Sequence, residues 1–377
     1  MNKIKLLLLI FGLLNISVSI AQTAEPTGTI EIRAKAENLT GMANSGSEGI
    51  VSGLRIAALP ILRPGEIMEM VPGLIVTQHA GDGKANQYFL RGFNLDHGTD
   101  FATYVNGVPA NMPTHAHGQG YTDLNFLIPE LVDLIAYKKG TYSAMDGDFS
   151  AAGSARLEYR KSLDGHLAEV TAGANGYKRL LLAGSPKRQD GQWLYGLEVF
   201  KNDGPWLVPE NYQKLNGVLS YSDGTRLNGY SVTGMLYKSS WISTDQVPLR
   251  AINQGLIGRF GSLDPTTGGE THRYSVSSQW AQTGKDRQTK ANFWALDSAL
   301  DLWSNFEYCT GSIEKTGNCA AGDQFKQAEK RKAFGFGLSE ARYHQLSLLN
   351  SKYESAFTFG VDGRSDHIFP VGLYKTT

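Results

Sequence analysis

The pattern of apolar and polar residues divides the chain into two regions. From about residue 31 to residue 161, short segments with helical and strand periods alternate. Helices are predicted at Pro64–Val71, which Pro72-Gly73 ends, and at Leu127–Ile135. Strands are predicted at Leu74–Thr77, Tyr88–Leu90 and Ile135–Lys138, and Asn106-Gly107 predicts a hairpin between Thr103–Val105 and Val108–Ala110. This region is therefore expected to form a small α+β domain.

After Asp164 apolar and polar residues alternate with a period of two, and roughly nine or ten strands are predicted between His166 and Val361. Strands of about 10 alternating residues joined by turns are typical of outer-membrane barrels, although a soluble antiparallel sandwich alternates as well. Long strands and aromatic residues near the strand ends favour the barrel. The residues expected to share one face of a strand are Trp193, Tyr195, Leu197 and Val199, then Leu215, Gly217, Leu219 and Tyr221, then Tyr230, Val232, Gly234 and Leu236, then Tyr274, Val276 and Trp280, and finally Tyr353, Phe357, Phe359 and Val361.

The N-terminus has the three parts of an export signal. Lys3 and Lys5 precede the apolar run Leu6–Leu14, and Ser19 and Ala21 are small residues before Gln22. A short membrane anchor is the alternative, but a spanning helix needs about 20 apolar residues. Cleavage is therefore expected after Ala21.

Composition narrows the function classes. The 36 basic and 36 acidic side chains give zero net charge, which argues against a nucleic-acid partner because phosphate contacts need clustered Lys and Arg. With 17 Tyr, 16 Phe and only 19% charged residues, the chain is expected to be ordered. Cys309 and Cys319 most simply form a loop disulfide in an exported protein; a metal site is the alternative, but no His lies between them.

Four segments occur in an order that resembles the plug domain of a TonB-dependent outer-membrane receptor. They are Glu31-Ile32-Arg33-Ala34, VPGLIVTQHAGDGKANQYFLRGFN, DFATYVNGVPANMPTHAHGQGY and LNFLIPELVDLIAYKKGTYSAMDGDFSAAGSA. The run from Ser243 to Ser275 resembles a barrel loop in one branch of these receptors. The residues that carry the plug resemblance are Pro72, Gly73, Arg91, Gly92, Phe93, Asn106, Gly107, Lys139 and Gly140.

The resemblance implies a domain order and an incomplete barrel. Residues 1–21 would be the signal peptide, 22–50 an N-terminal extension, 51–162 the plug and 163–377 part of the barrel. A transporter barrel of about 22 strands needs a plugged lumen, so nine or ten strands are too few to enclose the plug, and the chain is expected to be a truncated form. Arg91 is expected to point to the barrel wall and pair with carboxylates there, with an ordinary solvated arginine as the alternative. A TonB box is expected at Ile30, Glu31, Ile32, Arg33 and Ala34, where an ordinary first strand is the alternative.

Three histidines are the candidate ligand contacts: His97, His115 and His117, with Asp96 and Asp100 beside the first. They either contact a metal or metal chelate, or they hydrogen-bond the backbone or the barrel wall. The second interpretation is favoured, so no metal site is assigned from the sequence. No phosphate-binding loop, dinucleotide fingerprint or hydrolase motif occurs, so the chain is not expected to be an enzyme.

The resemblance implies a receptor in the bacterial outer membrane that takes up a scarce ligand without a cofactor. An iron–siderophore or another metal complex is the default ligand. The implied partners are the TonB energy-transducing protein, outer-membrane lipid and that small ligand. The alternatives are a ligand-binding or adhesion barrel without transport, and a non-functional fragment.

Overall fold

The computed structural model describes residues 42–78, 80–186, 190–242, 245–308, 323–348 and 351–376. The predicted export signal, Ile30–Ala34 and both cysteines lie outside these ranges. Within them, no helix is long and apolar enough to cross a membrane.

The N-terminal region is built from nine short strands, one α-helix and two 3-10 helices. In chain order these are β1 Met42–Ser45, β2 Glu48–Ser52, α1 Gly53–Ala57, a 3-10 helix Pro64–Met70, β3 Leu74–Thr77, β4 Gln87–Leu90, β5 Phe93–Asn94, β6 Phe101–Val105, β7 Val108–Pro109, a 3-10 helix Pro129–Leu131, β8 Val132–Lys138 and β9 Gly153–Tyr159. One sheet has the order β1-β2-β8-β9-β6-β7, and a second has the order β3-β4-β5. Only β6 and β9 pair in parallel; the other pairs are antiparallel.

Local sequence explains most of these elements. The β6–β7 hairpin turns at Asn106 and Gly107, whose φ values of 46° and 77° suit the left-handed region that Asn and Gly tolerate. The predicted helix over Leu127–Ile135 is wrong: only Pro129–Leu131 is helical, and Val132–Lys138 is strand β8. Val132 and Ile135 are β-branched, and pairing with both β2 and β9 satisfies the backbone of this segment in a sheet.

The core lies between the six-stranded sheet and the first strands that follow it. Fully buried side chains of the N-terminal region are Leu124, Leu127, Ile128, Leu131, Ile135 and Leu157, and they pack in one cluster with Leu181 and Leu194. Each fully buried side chain of this size contributes about 1.5–3 kcal/mol. The N-terminal domain is therefore held against the later sheet by apolar contact as well as by polar contacts.

The rest of the chain forms one antiparallel sheet of nine strands in sequence order. They are β10 His166–Ala172, β11 Lys178–Gly184, β12 Gln192–Asn202, β13 Tyr212–Gly224, β14 Gly229–Ile242, β15 Gly268–Thr283, β16 Arg287–Ser304, β17 Phe325–Leu348 and β18 Ser351–Lys375. Helix α2, Leu249–Asn253, lies between β14 and β15. Within the described residues β10 and β18 are the two edges, so the sheet is not closed. The predicted fold class, an α+β plug followed by an incomplete set of barrel strands, is confirmed.

The predicted alternation is also confirmed. Outward positions carry exposed apolar side chains such as Leu197, Val199, Leu219 and Phe357, while the inward positions between them are buried and often polar. Strands that face lipid on one side have apolar side chains on that outer face and polar side chains on the inner face.

The connections at the two ends of the sheet differ in length. At one end they are residues 173–177, 203–211, 243–267 and 305–324; at the other they are 185–191, 225–228, 284–286 and 349–350. Outer-membrane barrels have long extracellular loops and short periplasmic turns. We call the end of the sheet with residues 203–211, 243–267 and 305–324 the long-loop end, and the opposite end the short-turn end.

Candidate functional site

Three histidines meet on one face of the N-terminal domain, against strand β17. The ring centroids of His97 and His117 are 4.4 Å apart in an edge-to-face arrangement, and His115 stacks on Tyr121 at 4.0 Å. The strand residues that these rings meet, Gln327 and Glu329, lie close to the start of β17, at the long-loop end. We call Asp96, His97, His115, His117 and Tyr121 the histidine cluster.

Asn111 fixes the two loops that carry the cluster. Its side-chain Nδ2 donates to the carbonyls of Gly98, Phe101 and Gly120, at 2.9, 3.0 and 3.2 Å, and its Oδ1 accepts from the backbone of Thr103 at 2.7 Å. Segment 112–121 is closed by an antiparallel bridge between Met112 and Tyr121. The backbone of Thr122 then donates to the carbonyl of His97 at 2.7 Å, which joins the two loops directly.

Asp96, His97 and His117 bring three potential metal-ligand atoms together, all within 4.8 Å of one another. Nδ1 of His97 lies 2.9 Å from the carbonyl oxygen of Asn86, and Nδ1 of His117 lies 2.9 Å from Oε1 of Gln327. Both partners are acceptors, so each Nδ1 carries the hydrogen that it donates. Nε2 of His97 is 3.7 Å from Oδ1 of Asp96.

His115 has a different arrangement. Its Nδ1 accepts from the backbone N–H of His117 at 3.1 Å, and its Nε2 lies 3.2 Å from Oε2 of Glu329. Because Nδ1 is an acceptor, the hydrogen is on Nε2, which faces the Glu329 carboxylate without completing a hydrogen bond to Oε2. Burial, together with His117 and the Arg331 guanidinium, holds the pKa of His115 well below its usual range, so the ring is neutral. Its Nδ1 is used as an acceptor, and its Nε2 lies against the buried carboxylate.

The wall behind the cluster is an ion-pair network on β17 and β18. Arg331 is fully buried and contacts Glu329, the carboxylate of Asp366 at 2.9 Å and the carbonyl of Thr114. Arg364 also pairs with Asp366, at 2.6 Å, and donates to the carbonyl of Asn111 at 3.2 Å. Burying a guanidinium is tolerated only where acceptors surround it, so this network fixes segment 111–115 against the sheet.

The N-terminal domain also contacts the long loops. Lys84 forms a buried ion pair with Asp245, whose other oxygen accepts from the backbone of Asn305 at 3.2 Å. Glu210 accepts from the Trp206 indole at 2.7 Å and from the backbone of Asp82 at 3.1 Å. Burial, with a contribution from Asp82, raises the pKa of Glu210 to about 7.

A second set of polar contacts lies farther from the histidines. Arg179 of β11 binds both carboxylate oxygens of Glu130, at 2.7 and 3.0 Å, and its Nε donates to Glu198 at 2.7 Å. Glu198 is in turn paired with Lys214 at 3.0 Å. Near the short-turn end, a cavity of about 800 Å³ lies between the N-terminal domain and the strands, lined among others by Tyr104, Glu158, Thr233, Gln279 and Asn292.

The remaining residues singled out from the sequence are in turns and strand ends. Gly73, Gly92 and Gly140 have φ values of 85°, 81° and 117°, Phe93 is exposed, and Lys139 is buried and donates its backbone N–H to Ser47 at 2.7 Å. Arg91 is an exposed turn residue with φ of 53°, and it makes no ion pair with any described residue. Its pairing with carboxylates of the barrel wall stays a prediction.

The sequence did not indicate Asn86, Asn111, Gln327 or Arg331 as parts of the site. Gln327, Glu329 and Arg331 alternate along KQAEKR at inward positions of β17, and three buried polar residues in a row are a signal that this face contacts protein. Asn111 has no such signal, because its role depends on three carbonyls that the fold brings to it.

Comparison with known proteins agrees with this architecture. Residues 41–154 match the family model described as TonB-dependent Receptor Plug Domain. The structure is similar to the ferric citrate transporter FecA in its unliganded form (TM-score 0.64, 12% identity, 86% of this chain and 48% of that one). It is also similar to the pyoverdine outer membrane receptor FpvA from Pseudomonas aeruginosa PAO1 (0.58, 14%, 88% and 47%) and to the copper transporter OprC (0.56, 13%, 87% and 53%). The chain therefore spans about half the length of the solved structures it matches.

Proposed function

Because this chain has the plug domain and the barrel-strand arrangement of a TonB-dependent receptor, we propose that it acts in the outer membrane in the energised uptake of a metal complex. The observation that carries the proposal is the plug seated on the inward face of the nine-stranded sheet, with the histidine cluster near the long-loop end. A ligand arriving from outside would reach that end first.

The ligand class follows from the site and from the relatives. FecA and FpvA are named for ferric citrate and pyoverdine, and OprC for copper. Imidazole and carboxylate groups at the plug surface suit a metal or its chelate. We take an iron–siderophore as the default and a different metal complex as the alternative.

Transport requires that the plug can move relative to the strands. The plug is held by a small number of strong polar contacts, among them Arg179 with Glu130 and Lys84 with Asp245. A pulling partner such as TonB would have to break these contacts, and the cavity near the short-turn end is where a displaced ligand would pass. In this account the chain binds and carries its ligand, with no catalytic step.

The test is uptake by cells that express this chain in the outer membrane. Accumulation of ⁵⁵Fe-siderophore and of ⁶⁵Zn²⁺ is compared in cells with and without TonB, and with a variant lacking Ile30–Ala34. We expect accumulation of one of the two labels that is lost without TonB. Ligand binding with no TonB-dependent accumulation would instead support a binding or adhesion barrel.

A further inference from the structure

We propose that Asp96, His97 and His117 directly bind a divalent transition-metal ion that prefers imidazole ligands, such as Zn²⁺. This names the cargo class and in that respect rests on the proposed function. The site itself rests on the three ligand atoms that converge within 4.8 Å. Ligand atoms around a tetrahedral Zn²⁺ with bonds of 2.0–2.2 Å lie about 3.4 Å apart. Small rotations of these side chains close that difference.

The outer contacts of the two imidazoles are those of a metal site. A metal-ligating His nearly always donates its other N–H to a carbonyl or carboxylate, which fixes the tautomer and orients the ring. His97 does so to the carbonyl of Asn86, and His117 does so to the side-chain oxygen of Gln327. Both rings are therefore oriented through Nδ1, and in the proposed site the metal binds at Nε2.

Asp96 supplies the oxygen ligand and the route of entry. His97 is 5% exposed, whereas Asp96 is about half exposed, so an ion can approach from its side. The backbone of Asp96 has φ of 49°, a left-handed value that Asp tolerates, and its N–H donates to Oδ1 of Asn94 at 2.8 Å. Two backbone bonds of 2.9 Å anchor the segment on Tyr88: the N–H of the buried Leu95 donates to the Tyr88 carbonyl, and the Tyr88 N–H donates to the Asp96 carbonyl.

The ligand set limits the identity of the ion. Two imidazoles and one carboxylate suit Zn²⁺, Cu²⁺ or Ni²⁺, whereas Mg²⁺ and Ca²⁺ prefer sites made of oxygen only. His115 is not among the three converging ligands: its Nδ1 accepts from the backbone of His117, and its Nε2 faces Oε2 of Glu329 at 3.2 Å. Three protein ligands leave a fourth position for water or for a chelator that delivers the ion.

The experiment measures metal binding by the full chain purified in detergent micelles, without any energy source. Co²⁺ is the probe because its visible absorption reports imidazole coordination in a tetrahedral site, and Zn²⁺ is then added to displace it. Variants are His97→Gln, His117→Gln and Asp96→Asn, with Gln327→Ala for the outer contact. His166→Gln is the matched control, since His166 lies at the start of β10, outside the cluster, and its Nδ1 is 2.9 Å from the Tyr195 hydroxyl.

We expect one equivalent of Zn²⁺ in the wild type and in His166→Gln. Losing an outer contact typically costs 10–100-fold in affinity, so Gln327→Ala should weaken Zn²⁺ binding by about that factor and keep the stoichiometry. In His97→Gln and His117→Gln the Zn²⁺ affinity should fall more than about 100-fold, because removing a ligand weakens binding more than removing its outer contact does. The visible absorption of tetrahedral Co²⁺ should be lost as well. Far-UV circular dichroism identifies any variant that does not fold, and Gln327→Ala retains all three ligands as a second test.

Two results would overturn the proposal: a wild-type chain that binds no Co²⁺ or Zn²⁺, or His97→Gln and His117→Gln variants that bind as tightly as the wild type. The metal site and the proposed transport function can fail independently, and the two failures give different results. Zn²⁺ binding that depends on His97 and His117, with no TonB-dependent accumulation in cells, keeps the metal site and rejects transport. TonB-dependent accumulation by a chain that binds no Zn²⁺ keeps transport and rejects the site.

Discussion

Replacing Asn111 by Ala should release both loops of the histidine cluster. The amide is 3% exposed and makes four contacts: its oxygen accepts from the backbone of Thr103, and its nitrogen donates to the carbonyls of Gly98, Phe101 and Gly120. Alanine removes all four at once and leaves the backbone groups without this partner. The effect should be local, because the loops that it frees lie between strands that keep their own pairing.

The magnitude follows from the hydrogen-bond count. The amide nitrogen has two hydrogens shared among three carbonyls, so the side chain contributes three full hydrogen bonds. At about 1 kcal/mol net for each, Asn111→Ala should cost about 3 kcal/mol. Because each 1.4 kcal/mol is a factor of ten, local opening of the two loops should become about 100-fold more frequent.

Hydrogen–deuterium exchange measures this opening at individual amides. The reporters are the backbone N–H groups of Met112, Gly120 and Thr122, which donate to Tyr121, Met112 and His97 at 3.0, 2.7 and 2.7 Å. Their protection factors should fall about 100-fold in Asn111→Ala. Amides of β14 should keep their protection, and so should all of these amides in the exposed-site control Gln213→Ala.

Asn111→Asp tests the amide nitrogen more specifically than Asn111→Ala does. It keeps the size of the side chain and the acceptor for Thr103, but it places a carboxylate oxygen against the carbonyls of Gly98, Phe101 and Gly120. Loss of protection should therefore be at least as large as with alanine, since acceptors then face acceptors. Protection within threefold of wild type in either variant would refute the role assigned to this amide.

Two further predictions concern the contacts between the plug and the strands. Glu130→Ala removes the bidentate partner of Arg179 and should lower the free energy of unfolding in urea by about 2 kcal/mol, as loss of hydrogen bonds to a charged group does; an unchanged midpoint would contradict this. Burial raises the folded-state pKa of Glu210 to about 7, above that of an unfolded glutamate, so its stabilising contribution is present at low pH and lost as pH rises through about 7. The Tm measured by circular dichroism should fall between pH 5 and pH 8.5 in the wild type, and this slope should be smaller in Glu210→Gln.

The sequence predicted the strands well because their signal is local. In β12 and β13 the outward residues, such as Leu197 and Leu219, alternate with inward ones within a single strand, so the face of each residue can be read without knowing its neighbours. The segment Leu127–Ile135 has no such unique signal. Its apolar residues fit a helix spacing, but β2 and β9 recruit Val132–Lys138 into their sheet, and that pairing is a long-range contact.

The histidine cluster was predicted only in part, for the same physical reason. His115 and His117 are close in sequence, and both lie against the wall: His117 Nδ1 is 2.9 Å from Oε1 of Gln327, and His115 Nε2 is 3.2 Å from Oε2 of Glu329. The approach of His97 to His117 could not be predicted, because it depends on two loops 20 residues apart that Asn111 joins. The tautomers of the rings depend on acceptors from a third and a fourth segment, at residues 86 and 327.

The position of Gln327 connects metal binding to movement of the plug. The three proposed ligands all belong to the plug, but the acceptor that orients His117 belongs to strand β17. A plug that is pulled away from the sheet keeps its ligands and loses this outer contact, which by itself weakens a metal site 10–100-fold. In the uptake that we propose, a receptor needs high affinity when the ion arrives and low affinity when it leaves, and this arrangement would supply the difference without any change of ligand. The Zn²⁺ affinity of Gln327→Ala is therefore an estimate of the affinity of the displaced plug.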